Sequence, residues 1–159
     1  MKIYTFLSIL FFSILTVACD NERQTSYKNF EYESLTDKYN SQTNVFTRKY
    51  NDGDSLSVKI KLSDDEKITI LNRFYDNNFL KLSKEIDCSS WGVQPQIYTS
   101  ISLWNKNNKH SVTYVSTNEN LMLLCPSGKR FLRIEEKIEE IIYSKPEVKS
   151  MRESDIAYE

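Results

Sequence analysis

The chain has 159 residues, of which 40% are hydrophobic and 27% charged, a length and balance that suit one domain with an ordinary core. Its 21 basic and 22 acidic residues leave a formal net charge of −1. This balance argues against a nucleic-acid binder, since such proteins normally show a basic excess. The one histidine, His110, excludes any catalytic scheme that needs two, and only three glycines leave little room for phosphate-binding loops.

The N-terminal segment differs in composition from the rest of the chain. Thirteen of its first 18 residues are hydrophobic, Lys2 precedes the apolar run, and no acid appears before Asp20. A basic start, an apolar centre and small residues at the exit are typical of a secretory signal peptide. The apolar run of about 16 residues is shorter than the roughly 20 that a membrane-spanning helix needs. The sequence therefore predicts a signal peptide over residues 1–18.

The exit of this segment reads Leu15-Thr16-Val17-Ala18-Cys19. It resembles the lipobox of bacterial lipoproteins, whose cysteine is lipidated and becomes the first residue after cleavage. Thr16 stands where the lipobox usually has leucine. The resemblance implies palmitate-type lipidation at Cys19 and a lipid-anchored location in the bacterial cell envelope, facing the periplasm or the cell surface. Two alternatives stay open: ordinary signal-peptidase cleavage, which leaves Cys19 as a free thiol, and an uncleaved N-terminal anchor.

The first half of the exported chain consists of a tether and short strands. Residues 19–29 are polar after the lipidated cysteine and are predicted to be a tether. Alternating apolar residues predict strands from Phe30 and from Val45, with turn-rich residues 35–43 between them. A turn at residues 51–54 followed by the alternation in SLSVKIKLS predicts a hairpin. Its apolar face carries Leu56, Val58, Ile60 and Leu62.

Two amphipathic helices and a second hairpin follow. Ser63 and Glu66 form a capping-box pattern that begins the first helix. The stripe predicted for this helix contains Ile68, Leu71, Phe74 and Tyr75. Residues 97–104 and 111–115 are predicted to pair as strands, and residues 121–124 to form a short strand or a buried connector. Cys125-Pro126-Ser127-Gly128 breaks the chain before the second helix, which carries Phe131, Ile134, Ile138, Ile141 and Ile142 on its inner face.

Hairpins pair antiparallel, and two amphipathic helices need a sheet face against which to bury their stripes. The sequence therefore predicts an α+β fold. It is a two-layer sandwich with an antiparallel sheet of about five to six strands and two helices packed on one face. The single domain covers residues 30–145, and residues 146–159 form a polar C-terminal tail.

Cysteine usage predicts a disulfide. Lipidation of Cys19 leaves Cys88 and Cys125 as a pair, and the compartments reached by export favour disulfides. Each of the two lies just outside a regular element, so the bridge would join two loops at one end of the sandwich. Two buried free thiols are the alternative. The bridge would also order the loop that contains Trp91 and Gln94, which we consider a possible binding loop because tryptophan is favoured at recognition sites. The alternative is that Trp91 covers the core beside the disulfide.

The sequence predicts no catalytic residue, metal site or cofactor. GxSxG, CxxC and HxxxH are absent, and His110 is expected to be an exposed residue beside a turn. The pairs Glu135/Glu136 and Glu139/Glu140 lie opposite the isoleucines, where a solvated face is expected, although converging carboxylates would suit a glycosidase. Asp54-Ser55-Leu56 resembles the O-glycosylation site of exported Bacteroidota proteins, and whether it is modified stays open.

The pattern that runs from LSDDEKITILNRFYDNNFLKL to IEEKIEEIIYSKPEVKSM resembles many small uncharacterised exported lipoproteins of Bacteroidota, over roughly residues 44–151. This resemblance implies an envelope location and carries no activity. We expect a non-catalytic binding or interaction module whose partners are the membrane, through its lipid, and an unknown envelope protein or glycan, with no nucleic acid. The alternatives are an envelope hydrolase that cleaves glycans with paired carboxylates, or an inhibitor or immunity protein against a toxin or hydrolase.

Fatty-acid labelling tests the predicted lipid attachment. Cells that produce the full chain should incorporate a clickable fatty acid into it, and Cys19→Ala should abolish the label because the acceptor sulfur is gone. The control variant Cys88→Ala should keep the label. Equal labelling of the parent chain and Cys19→Ala would contradict the prediction.

Overall fold

The fold is built on one sheet of seven strands, which the computed structural model describes together with its helices over residues 27–89, 96–117 and 125–156. Their order across the sheet is β4-β3-β2-β1-β6-β7-β5, and every neighbouring pair is antiparallel except β5 with β7. The strands are β1 (Asn29–Glu33), β2 (Asp37–Asn40), β3 (Val45–Lys49), β4 (Ser55–Lys59), β5 (Glu85–Asp87), β6 (Ile97–Trp104) and β7 (Lys109–Ser116).

In the described ranges, one α-helix follows β4 and two follow β7. They are α1 (Asp64–Asp76), α2 (Pro126–Tyr143) and the short α3 (Pro146–Lys149), and a 3₁₀ turn (Phe79–Lys81) follows α1. The predicted α+β sandwich is confirmed, with more strands than the five to six expected. The predicted short element at residues 121–124 lies outside the described residues.

Helix α1 begins at the predicted capping box. The Glu66 N–H donates to Ser63 Oγ at 3.2 Å, and the Ser63 N–H donates to Glu66 Oε2 at 2.8 Å. The same carboxylate accepts from Lys145 Nζ at 2.6 Å, just beyond the end of α2. This charged hydrogen bond ties the start of one helix to the end of the other, and together with the Ser63 N–H it lowers the pKa of Glu66.

Both long helices pack on the same face of the sheet, which we call the inner face. The Phe74 ring of α1 lies 6.0 Å from Phe30 of β1, and the Phe131 ring of α2 lies 5.3 Å from Tyr114 of β7. The predicted stripe of α2 is buried at Phe131, Ile134, Ile138 and Ile142. The stripe of α1 differs from the prediction, since Ile70 and Phe74 are its buried residues and Ile68 is 54% exposed.

Two strands were not predicted because their sequences lack apolar alternation. In β2 the inward residues are Asp37 and Tyr39, so one of the two buried positions is an acid. Strand β5 has three residues and pairs in parallel with β7. The predicted hairpin of β3 and β4 is confirmed. Because β4 is the edge strand of the sheet, Leu56 is 48% exposed although alternation places it on the inner face.

The acid in β2 forms a buried ion pair beneath the end of α2. Arg48 donates from Nε and Nη2 to the two Asp37 oxygens at 2.8 and 2.9 Å, with side chains that are only 11% and 5% exposed. The Tyr143 hydroxyl donates to Asp37 Oδ2 at 2.8 Å. The guanidinium also lies over the Phe46 and Tyr143 rings, 5.4 and 5.9 Å from their centres. The charges of Asp37 and Arg48 are therefore paired with each other.

The segment after residue 145, predicted to be a polar tail, packs against the β3–β4 hairpin as far as residue 156. Val148 of α3 is buried in the core. The Arg152 guanidinium lies 3.7 Å from the centre of the Tyr50 ring. The backbone carbonyl of Arg152 accepts a hydrogen bond from the Tyr50 hydroxyl at 3.3 Å. The Asn51 N–H donates to Asp155 Oδ1 at 2.9 Å. These contacts attach the C-terminal segment to the turn that joins β3 and β4.

The predicted disulfide between Cys88 and Cys125 is present, with a Cα–Cα distance of 6.0 Å. It joins the end of β5 to the start of α2, and the Cys88 N–H donates to the Val115 carbonyl at 2.8 Å. Gly128, in the first turn of α2, lies directly against the bridge. A Cβ at this position would come within 2.6 Å of Cys88 Sγ and 3.0 Å of Tyr114 Cε2. Glycine is therefore required for the helix to approach the disulfide.

We predict that Gly128→Ala lowers the free energy of unfolding by about 1–3 kcal/mol, because the new methyl group overpacks the site. Urea unfolding of the oxidised domain measures the effect, with Ser127→Ala as the neighbouring control. In a Cys88→Ala/Cys125→Ala background the penalty of Gly128→Ala should shrink, since both sulfurs that the new methyl group would approach, at 2.6 and 3.0 Å, are gone. An equal penalty in both backgrounds would contradict this account of the glycine.

Candidate functional site

Some of the site residues that the sequence predicts cannot be placed in the fold. Cys19, Trp91 and Gln94 lie outside the described residues. The described ends of the loop that carries Trp91 are joined, because Gln96 Nε2 donates to Ser89 Oγ at 3.4 Å. None of the helices in the described part of the chain is long and apolar enough to cross a membrane.

The second face of the sheet, here called the outer face, is polar and partly exposed. Its side chains pair across strands: Ser100 with Thr113 at 3.0 Å, and Ser102 with Ser111 at 2.8 Å. Nearer β4, Lys38 donates to Glu33 at 3.0 Å. Both long helices lie on the inner face, so none of the described helices covers this polar surface.

Trp104 stands at one end of the outer face, where β6 finishes. Its indole Nε1 donates to Gln42 Oε1 at 3.3 Å, which places the ring across β1 towards the turn after β2. The Lys109 ammonium lies 5.6 Å from the centre of the indole. We call the depression beside this ring the Trp104 pocket. It has a volume of about 320 Å³, and it is lined by Glu31, Asn40, Trp104 and the turn residues 105–109.

The charged groups of the Trp104 pocket differ in whether they have an oppositely charged partner. Glu31 accepts from Asn40 Nδ2 at 2.9 Å and lies 3.5 Å from Lys38 Nζ, so its charge is balanced within the sheet. Lys106 and Lys109 are exposed and form no ion pair among the described residues. The available charge at the pocket is therefore positive.

A second depression runs along α2. It has a volume of about 490 Å³, and its described lining residues are Lys129, Leu132, Arg133, Glu135, Glu136 and Glu139. The expectation that this acidic face is uniformly solvated is wrong for Glu135 and Glu139, which are half-buried, whereas Glu136 and Glu140 are exposed. Helical geometry explains the difference, since residues three and four positions apart share one side of a helix.

The two half-buried carboxylates have different surroundings. Burial raises the pKa of Glu135 to about 7, and the nearby charge of Glu139 adds to this shift, while the Thr99 hydroxyl opposes it. Glu139 accepts a hydrogen bond from the Tyr32 hydroxyl at 2.6 Å. Burial raises the pKa of Tyr32 far above its usual range, with further contributions from Tyr143 and Glu139, so this phenol remains a donor. One carboxylate is thus anchored to the sheet while the other is poised to hold a proton near neutral pH.

His110, expected to be exposed, is instead half-buried. Its ring packs edge-on against Phe79 with a centroid distance of 5.4 Å, and its Nε2 has no hydrogen-bond partner among the described residues. Alternation in β7 places it on the inner face opposite Leu103. No group of three or more His, Cys, Asp or Glu residues in the described ranges is placed to hold a metal ion.

The tripeptide Asp54-Ser55-Leu56 is exposed at the start of the edge strand β4. Neither the Trp104 pocket nor the position of the α2 carboxylates was identified from the sequence. The available signals were a tryptophan at the end of an alternating strand and the i, i+4 spacing of Glu135 and Glu139. Comparison with protein-family models, curated proteins and solved structures finds no significant match to this chain.

The raised pKa of Glu135 predicts a specific pH dependence of stability. The folded chain holds a proton on Glu135 up to about pH 7, whereas an unfolded chain releases it near the ordinary value of 4.5. The free energy of unfolding should therefore fall as the pH rises between these values. Glu135→Gln removes this loss, and at pH 8 the variant should be more stable than the parent by on the order of 1–2 kcal/mol.

Urea unfolding at pH 4 and pH 8 measures this difference. The exposed neighbour supplies the control, since Glu136→Gln should keep the pH profile of the parent. If the curves of Glu135→Gln and the parent chain run parallel across the whole range, Glu135 does not carry the raised pKa.

Proposed function

We propose that the protein is a lipid-anchored binding module of the bacterial cell envelope that contacts its partner through the outer face of its sheet. The anchoring rests on the lipobox-like residues at Ala18 and Cys19 and on the preceding apolar segment. The binding role rests on one observation, the Trp104 pocket, which lies on the face that the described helices leave open. An oriented tryptophan beside uncommitted polar groups is a common form of recognition site.

The contacts that stabilise the fold lie on the side of the sheet opposite the proposed binding surface. The helices, the disulfide and the ion pair of Asp37 all consolidate the inner side of the molecule. The outer face is left with a rigid array of paired hydroxyl and charged side chains, fixed by the sheet register. A partner that docks there would order few side chains, which lowers the entropic cost of association.

Co-sedimentation tests the binding role without interference from the anchor. A chain that lacks residues 1–19, and therefore both the apolar segment and the lipid acceptor, is mixed with detergent-washed envelope fragments from the producing bacterium, and the sedimented fraction is measured. We expect saturable binding that Trp104→Ala weakens about tenfold or more, since central aromatic residues dominate interface energies. Tyr98→Ala is the matched control, because Tyr98 is an exposed aromatic residue at the other end of β6 on the same face.

Two results would overturn the proposal: no saturable binding, or equal binding by the parent and Trp104→Ala. Protease treatment of the fragments separates a protein partner from a glycan. A partner that is itself a toxin or hydrolase, and that loses activity in the complex, would assign the protein the role of an inhibitor or immunity protein.

A hydrolase that uses paired carboxylates is the second candidate, and the α2 depression favours it. Glu135 and Glu139 line the same depression, with one carboxyl held protonated near neutral pH and the other bound to Tyr32. A carboxyl whose pKa is raised towards neutral pH, as that of Glu135 is, suits a general acid. The hydrogen bond of Glu139 turns one of its oxygens towards the buried Tyr32 hydroxyl, which favours a structural role for that group.

Release of soluble sugar from purified envelope glycan tests this second candidate. A hydrolase of this kind should lose at least about a hundredfold in rate with Glu135→Gln, since a positioned general acid contributes 10²–10⁴-fold. The exposed neighbour provides the control variant Glu136→Gln. Sugar release that is absent, or equal in parent and Glu135→Gln, removes the hydrolase from consideration.

A further inference from the structure

We propose that the Trp104 pocket binds an acidic glycan, a sugar chain with carboxylate groups, through stacking on the indole and pairing with Lys106 and Lys109. This inference deepens the proposed binding function and rests on it. The site combines an aromatic face, amide side chains and an excess of positive charge within one depression.

The aromatic component is held in place before any ligand arrives. The hydrogen bond from Trp104 Nε1 to Gln42 Oε1, at 3.3 Å, orients the indole at the end of β6 and does not occupy its face. The C–H face of a sugar ring is apolar and slightly positive, so it packs on the negative face of an aromatic ring. Lys109 is exposed, and its flexible side chain can exchange its place over the indole for a sugar and turn to an anionic group.

The turn between β6 and β7 supplies the hydrogen-bonding groups. Asn105 Oδ1 accepts from the backbone N–H groups of Asn107 and Asn108 at 2.9 and 2.8 Å, which fixes the turn. The side-chain amides of Asn107 and Asn108 are exposed and form no hydrogen bond within the described part of the chain. An amide offers both a donor and an acceptor, which matches the hydroxyl groups of a sugar.

The charge of the site selects the ligand class. Lys106 and Lys109 have no acidic partner among the described residues, whereas the one acid of the pocket, Glu31, is already neighboured by Lys38 at 3.5 Å and hydrogen-bonded to Asn40. A neutral sugar would leave both ammonium groups without a counter-charge. The volume of about 320 Å³ is at the small end of ligand pockets, which suits one or two sugar rings rather than a folded protein segment.

Fluorescence titration of the full chain carrying Cys19→Ala and Trp91→Phe tests the proposal, because Trp104 is then its one tryptophan. The probes are a galacturonic acid trimer, a neutral glucose trimer, and the glucose trimer with free acetate. We expect saturable binding of the acidic trimer. Its affinity should be about tenfold or more higher than that of the neutral trimer, with or without acetate. Lys106→Ala should weaken it about threefold or more, and added salt should weaken it further.

Calorimetry with the acidic trimer covers the variants that remove the indole. Trp104→Ala should lower the affinity at least about tenfold. Asn107→Ala should weaken binding too, and because it changes only an exposed residue, its effect does not come from misfolding. Lys59→Ala, an exposed lysine on β4, is the matched control and should bind like the parent. Equal affinity for acidic and neutral trimers, or unchanged binding by Trp104→Ala, would overturn the proposal.

The outcomes also separate this inference from the proposed function. If the envelope fragments bind in a Trp104-dependent way while the acidic trimer does not bind, the ligand class is wrong and the binding module stands. If neither binds, both proposals fail together.

Discussion

The ion pair between Asp37 and Arg48 is the interaction on which the placement of helix α2 depends. It puts two charges on the inner face of the sheet, where the desolvation cost of burial is offset only if each charge has a complete set of partners. Tyr143, at the end of α2, completes the set through its hydrogen bond to Asp37. One turn earlier, Glu139 receives the Tyr32 hydroxyl. These directional bonds add specific partners to a helix whose apolar stripe makes only non-directional contacts with the sheet.

The other end of α2 is fixed by covalent and steric means. The disulfide of Cys88 and Cys125 joins the helix start to the edge strand β5, and Gly128 lets the backbone approach the sulfurs. Strand β5 has three residues and one neighbouring strand, so the bridge adds a covalent restraint to its few hydrogen bonds with β7. Polar contacts at one end of α2 and a disulfide at the other thus restrain both ends of this helix.

This division leaves the outer face available for recognition. Its side chains pair with one another across the strands, so the surface is ordered without a covering layer. Trp104 breaks this pattern, since its indole lies beside an asparagine-rich turn and two lysines without acidic partners among the described residues. Glu135, between the two layers, ties the stability of the fold to pH through its burial. The proposed binding surface and the titrating group therefore lie on opposite sides of the sheet.

The sequence by itself determined the elements whose patterns are local: the capping box at Ser63, the stripe of α2, both long hairpins, and the pairing of Cys88 with Cys125. Each follows from periodicity, a cap or cysteine count, which depend on neighbours along the chain. Strand β2 escaped prediction because the partners of its inward Asp37, which are Arg48 and Tyr143, lie 11 and 106 residues further along the chain. The Trp104 pocket gathers β1, β2 and the β6–β7 turn, and the pKa of Glu135 depends on burial against the sheet. Only the tertiary structure decided these features, because they arise from groups that the fold alone brings together.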